Sequence, residues 1–149
     1  MAKLIFVATI CILSATVSQA FNKEEAVKEL MKKAENCKGE VGASDTDVEE
    51  MVKQEAASSV QGKCLRACLM KHFGLMDDSG KFLRSAAVKH AEDYFNNDAD
   101  KLKVANEILD ACVNIAVPAD HCEAAEAYGK CFVEQVKAHG IEKFDFETL

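Results

Sequence analysis

The chain has 149 residues, 25 acidic against 18 basic side chains, and a net charge of −7. That balance argues against nucleic acid or an anionic membrane as the main partner, because both require a basic footprint. It has no tryptophan and one proline (Pro118), and it is rich in Ala, Glu, Lys, Leu and Val, so it reads as all-α.

The first 20 residues have the layout of a secretory signal. Lys3 gives a positive start, Leu4 to Leu13 are almost unbroken apolar chain, and Ser18 and Ala20 put small residues at the −3 and −1 positions of a cleavage site. The apolar run is too short for a stable membrane anchor, and no second long run follows. The expected mature domain is 21–149, secreted and extracellular. Cleavage removes Lys3 and no acid, which takes the net charge to −8.

The mature part reads as one domain. An amphipathic helix is predicted over 21–37, with Val27, Leu30, Met31 and Ala34 on one face and Lys38-Gly39 as its stop. Ser44 to Asp47 offer N-caps for a short helix to about 56, with Glu49 or Glu50 completing a capping box. Ser58-Ser59 breaks it. The next helix is predicted over 60–73, with Gly74 after its end. A turn at Asp77 to Gly80 and an apolar anchor, Phe82-Leu83, follow. Ser85 is the expected cap of a helix reaching about Phe95. A helix over 99–117 keeps Leu102, Ala105, Leu109, Cys112 and Ala116 in 3-4 spacing, with Ile108 and Val113 beside them, until Pro118 ends it. Asp120 caps a last helix to about Ala138. Residues 141–149 form a tail in which Phe144 and Phe146 share one side of an extended segment.

Six cysteines remain after the signal: Cys37, Cys64, Cys68, Cys112, Cys122 and Cys131. In a small secreted domain this implies three disulfides, with fifteen possible pairings. Cys122 and Cys131 lie nine residues apart on one predicted helix, so they leave opposite faces about 13 Å apart along the axis and cannot pair. Cys64 and Cys68, one turn apart, would constrain nothing if joined. Ten pairings remain open. Cys-x3-Cys and His121-Cys122 admit a zinc reading, but the secretory signal favours oxidation, and no metal or cofactor is expected.

Catalytic motifs are lacking. There is no Gly-x-Ser-x-Gly elbow, no His-Glu-x-x-His and no His-Asp pair set among the cysteines. No catalytic residue is assigned, and no enzyme activity is expected.

The cysteines run Cys-x26-Cys-x3-Cys-x43-Cys-x9-Cys-x8-Cys. The Cys-x3-Cys and Cys-x8-Cys spacings resemble the six-cysteine insect odorant-binding proteins. So do Lys63-Cys64-Leu65-Arg66-Ala67-Cys68 and His121-Cys122-Glu123-Ala124-Ala125-Glu126-Ala127-Tyr128, and the likeness spans the mature chain. It implies six helices around a buried apolar pocket and the pairing Cys37–Cys68, Cys64–Cys122 and Cys112–Cys131, one of the ten left open above. It implies a carrier of small apolar molecules, such as odorants, through aqueous fluid. A membrane chemoreceptor is the further partner, and a monomer or weak dimer the expected state. Combined with helical spacing, it places Leu30, Met70, Phe73, Phe82, Leu109 and Phe132 in the pocket, with Leu69, Ile108, Val113 and Val136 as neighbours. Phe144 and Phe146 become a partial lid carried by the tail. No Arg or Lys is evident on the inward stripes, so the expected ligand is neutral. The alternative is a secreted helical signalling or interaction protein without a cavity.

Overall fold

A computed structural model of the chain describes residues 22–141. The signal reading of 1–20 and the lid residues Phe144 and Phe146 lie outside them. Six helices make up the described part, α1 (Lys23–Val41), α2 (Asp45–Val52), α3 (Val60–His72), α4 (Arg84–Tyr94), α5 (Ala99–Cys112) and α6 (His121–Ala138). There are no strands among the described residues, only an isolated antiparallel bridge between Met76 and Phe82 that closes the α3–α4 connection. No helix of this part is long and apolar enough to cross a membrane.

Local sequence explains most of the ends. Asn22, Ser44, Ser59, Asp98 and Asp120 each accept from backbone N–H groups of the first turn they precede. Where the boundaries differ from expectation, a physical reason is visible. Lys38-Gly39 does not stop α1. The helix runs on to Val41 and ends at Gly42, which takes the left-handed conformation (φ 69°) that glycine adopts without Cβ strain. The capping box of α2 is closed by Asp47 rather than Glu49 or Glu50, because with Ser44 as N-cap the third helical position is Asp47. That helix stops at Val52, short of 56, and Gln54 turns left-handed (φ 58°). α4 starts at Arg84 behind Leu83 with no side-chain cap, so Ser85 lies within its first turn. α5 ends at Cys112, not at 117. Ile115 and Val117 both pack back onto the core, and two residues two positions apart share a face only in extended chain.

α3 is the hub of the packing, set against α6, α1 and α2, while α5 joins α6 to α4. Three disulfides follow the same scheme. Cys37–Cys68 ties α1 to α3, Cys64–Cys122 ties α3 to α6, and Cys112–Cys131 ties α5 to α6. The half-turn between Cys122 and Cys131 is what lets α6 hold α3 on one side and α5 on the other. Each closed loop restricts the unfolded chain, by about 3 to 4 kcal/mol in a chain-entropy estimate.

The core has two parts. One gathers Ala67, Met76, Phe82, Leu109, Ala124, Ala125 and Tyr128, with the Phe82 ring 5.4 Å from Tyr128 and 5.2 Å from Phe132. The other gathers Ala34, Cys37, Val48, Leu65 and Leu69 between α1, α2 and α3. Asp47 is the one buried charged residue among those described. Its carboxylate accepts from the Ser44 N–H and hydroxyl and from the Ser59 hydroxyl, so one side chain fastens the starts of α2 and α3.

Candidate functional site

A cavity of about 500 Å³ opens between α1, α3 and α6. Leu30 of α1, Met51 at the end of α2 and Leu75 supply apolar wall. From α3 come Arg66, Leu69 and Met70, and from its C-cap Phe73, spaced three and four apart. α6 contributes Glu126, Gly129, Lys130, Val133, Glu134 and Lys137, again in a 3-4 stripe. The segment Gln54, Glu55, Ala56 crosses one edge. Gly129 matters because a Cβ there would meet nothing within 4 Å, so mid-helix glycine leaves part of the space open.

Of the residues singled out in the sequence, Leu30, Leu69, Met70 and Phe73 lie together on this wall. Phe82 and Leu109 are buried in the aromatic part of the core, with Val113 and Phe132 packed against them. Met70 and Leu75 touch that cluster from one side and line the cavity from the other, so these four stand one layer behind the wall. Ile108 is buried and Val136 half-buried, and neither is on the wall. Met51, Leu75, Gly129 and Val133 were not singled out. The α6 stripe has helical periodicity but is mostly polar, so a search for apolar periodicity passes over it.

The polar part of the wall holds one correction. A cation does face the cavity. Arg66 has a side chain only 11 % exposed and pairs with Glu126, 18 % exposed. A second guanidinium nitrogen donates to the Glu55 carbonyl. Glu126 also accepts from the Ala57 N–H at 3.0 Å. The 54–58 segment is thus tied to the wall from α3 and from α6. It is held further by Glu50, whose carboxylate accepts the Ser58 N–H at 3.0 Å. The Ser58 hydroxyl first, and then this amide, hold the Glu50 carboxyl below its ordinary value.

Phe73 is fixed from both sides. The Lys33 ammonium stands 4.1 Å from its ring centroid and donates to the His72 carbonyl at 3.1 Å. His90 meets the ring edge-on at 6.3 Å, and its Nε2 lies 2.8 Å from the Phe73 carbonyl. These contacts set the wall aromatic at the C-terminus of α3.

The zinc reading on Cys64, Cys68, His121 and Cys122 loses its thiolates, since Cys64 is bonded to Cys122 and Cys68 to Cys37. Cys37, Cys68 and His72 do bring their ligand atoms close together. Both sulfurs are bonded to each other, and a disulfide sulfur lacks the thiolate charge that zinc requires.

The comparisons with known proteins agree with this frame. The PBP/GOBP family model matches residues 19–135. The chain is 50% identical over 137 residues to general odorant-binding protein 28a of Drosophila melanogaster, covering 92% of this chain and 96% of that protein. It is 37% identical over 141 residues to general odorant-binding protein 19d of the same fly, covering 93% and 91%. The solved structure of odorant-binding protein 28a from Drosophila melanogaster superimposes with a TM-score of 0.73 at 52% identity, covering 81% of this chain and all of that one. With a family model matched over most of its length and a relative 50% identical across 92% of it, the chain belongs to the PBP/GOBP family of odorant-binding proteins.

Proposed function

We propose that this protein is an extracellular carrier that holds small, mainly apolar molecules in the cavity between α1, α3 and α6. The observation that carries the reading is that cavity, about 500 Å³ with Leu30, Leu69, Met70 and Phe73 on its wall, in a member of this family. Such a volume suits a small ligand, and sites of this kind are mostly apolar with a few placed polar groups. Each 100 Å² of apolar ligand surface taken from water contributes about 2.5 kcal/mol. A micromolar complex needs about 8 kcal/mol net, within reach of a ligand with a medium-length chain. The acidic charge keeps the carrier soluble. Release to a membrane chemoreceptor would follow from the same role, with a monomer or weak dimer sufficient.

Displacement of a fluorescent apolar probe from the mature chain tests the reading. Probe and small apolar competitors should bind competitively in the micromolar range. Phe73→Ala should weaken binding several-fold, whereas Lys103→Ala on the exposed side of α5 should not. Equal behaviour of both variants would move the site elsewhere. Two finer elements have their own checks. Secretion should release a chain beginning at Phe21, read by N-terminal mass spectrometry. Truncation after Gly140 should speed probe release if the Phe144–Phe146 tail covers the cavity, and unchanged release would leave it without that role.

A further inference from the structure

Most charges around the cavity are rim charges. Lys130 and Glu134 have side chains 74 and 63 % exposed, and water screens them well. Arg66 and Glu126 differ. They are the least exposed of the ion-paired groups on the wall, which Leu69 and Met70 also line.

Glu126 has two oxygens, and each already accepts, one from Ala57 and one from Arg66. Arg66 has five N–H groups in a planar fork. Its described bonds use one nitrogen toward Glu126 and another toward the Glu55 carbonyl. Three of its five N–H groups are not used by these bonds, so the guanidinium can still donate. A ligand group entering beside it finds donors in a site of reduced dielectric, where a charge-assisted bond is strong and an unmatched polar group costly.

We infer that Arg66 is a specificity-determining residue of the cavity and selects apolar molecules that carry an oxygen acceptor, a carbonyl or a carboxylate, over equally long molecules that carry none. The inference rests on the carrier reading above. The head takes N–H donors of Arg66, and the chain lies along Leu69, Met70 and Phe73. Glu126 keeps the guanidinium oriented and limits its pull, so a neutral carbonyl and a carboxylate both qualify. A head that only donates, such as an ammonium, meets the same guanidinium as a repulsive charge.

Four ligands with similar chains test this by probe displacement: decane, 2-undecanone, decanoate and decylamine. The readout is the ratio of each affinity to that of decane, compared between proteins so that each ligand's own hydrophobicity cancels. From the wild-type chain to Arg66→Met, the ratios for 2-undecanone or decanoate should fall about tenfold, as expected for losing one charge-assisted bond. The decylamine ratio should not fall. A drop for decanoate alone would assign the carboxylate as the preferred head, and a drop for 2-undecanone alone the neutral carbonyl. Acceptor ratios that stay constant in Arg66→Met overturn the inference. Should that variant fail to fold, Glu126→Gln decides the matter, since a neutral amide grips the guanidinium less. It should raise the acceptor ratios, and unchanged ratios would overturn the inference. Decane binding without any acceptor effect leaves the carrier reading standing, whereas a wild-type chain that binds none of the four removes both.

Discussion

The two faces of α6 make different kinds of interior. On one, Ala124, Ala125, Tyr128 and Phe132 meet Phe82 and Leu109 in a filled cluster whose rings touch at 5.2 to 5.4 Å. On the other, Gly129 and Val133 look across open space toward Leu69, Met70 and Phe73. The same helix therefore serves as core and as wall. Large rings pack against one another on the first face. The second lacks a side chain at Gly129, and the helices opposite cannot close in. Cys64–Cys122 sets the separation of α3 and α6, with Cα atoms 4.4 Å apart near one end, and the Arg66–Glu126 pair props them further along. The hollow space thus lies between helices held by covalent and ionic ties, and no side chain reaches into it from Gly129.

Breaking the filled side should cost the most stability. Phe82→Ala removes a buried ring that touches two others and should cost about 3 to 5 kcal/mol in denaturant unfolding. Because Phe82 stands behind Met70 and Leu75, probe affinity should change less than stability does. A variant that loses probe binding while keeping its stability would place Phe82 on the ligand's own surface.

Gly62→Ala tests the corner that anchors the hollow side. A Cβ at Gly62 would lie 2.7 Å from the Asp47 carboxylate and 3.2 Å from Ala57. Asp47 is buried and triply bonded, so it cannot move aside cheaply. A loss of about 1 to 3 kcal/mol is expected from overpacking. Unfolding at the wild-type midpoint would show that the corner yields.

Gly129 sharpens the contrast most directly. Gly129→Ala should stabilise the protein by up to about 1 kcal/mol, since alanine is the better helix former and its methyl group enters open space. Gly129→Leu should leave stability near wild type yet lower probe affinity about tenfold or more by occupying the cavity. Undiminished binding in Gly129→Leu would mean that ligand does not use this face.

Acid should act on the smallest scale, at the same Asp47 corner. The Ser59 hydroxyl, then the Ser44 amide and hydroxyl, hold the Asp47 carboxyl below its ordinary value of 3.8. A carboxyl lowered in the folded state contributes stability that is present above the ordinary value and is lost as pH falls through the folded one. Thermal midpoints should therefore decline below about pH 4, and Asp47→Asn should be less stable at neutral pH with a shallower acid decline. An identical acid slope in that variant would assign the decline to other carboxylates, such as Asp98 and Asp120, which backbone N–H groups also hold low.

Much of the fold was legible because it depends on neighbours in sequence. Ser59, Asp98 and Asp120 announce helix starts through side chains that reach N–H groups two or three residues on. The half-turn offset of Cys122 and Cys131 already required two different partner helices. The end of α5 was not legible, since its stop at Cys112 is compelled by Ile115 and Val117 returning to a core built from distant residues.

By itself the sequence determined the helical class and the oxidised cysteine frame, because periodicity and spacing are properties of a single chain, whereas Leu30, Leu69, Met70 and Phe73 were placed at the pocket only by joining helical spacing to the family resemblance. Tertiary structure alone decided which apolar residues became wall and which became core. Phe82, Leu109 and Phe132 have the same apolar character as Phe73, yet they meet one another and fill their space. It also brought Arg66 and Glu126, 60 residues apart, onto one cavity wall. Apolar character predicts burial, but emptiness is a property of the gap between helices, and no single helix encodes that gap.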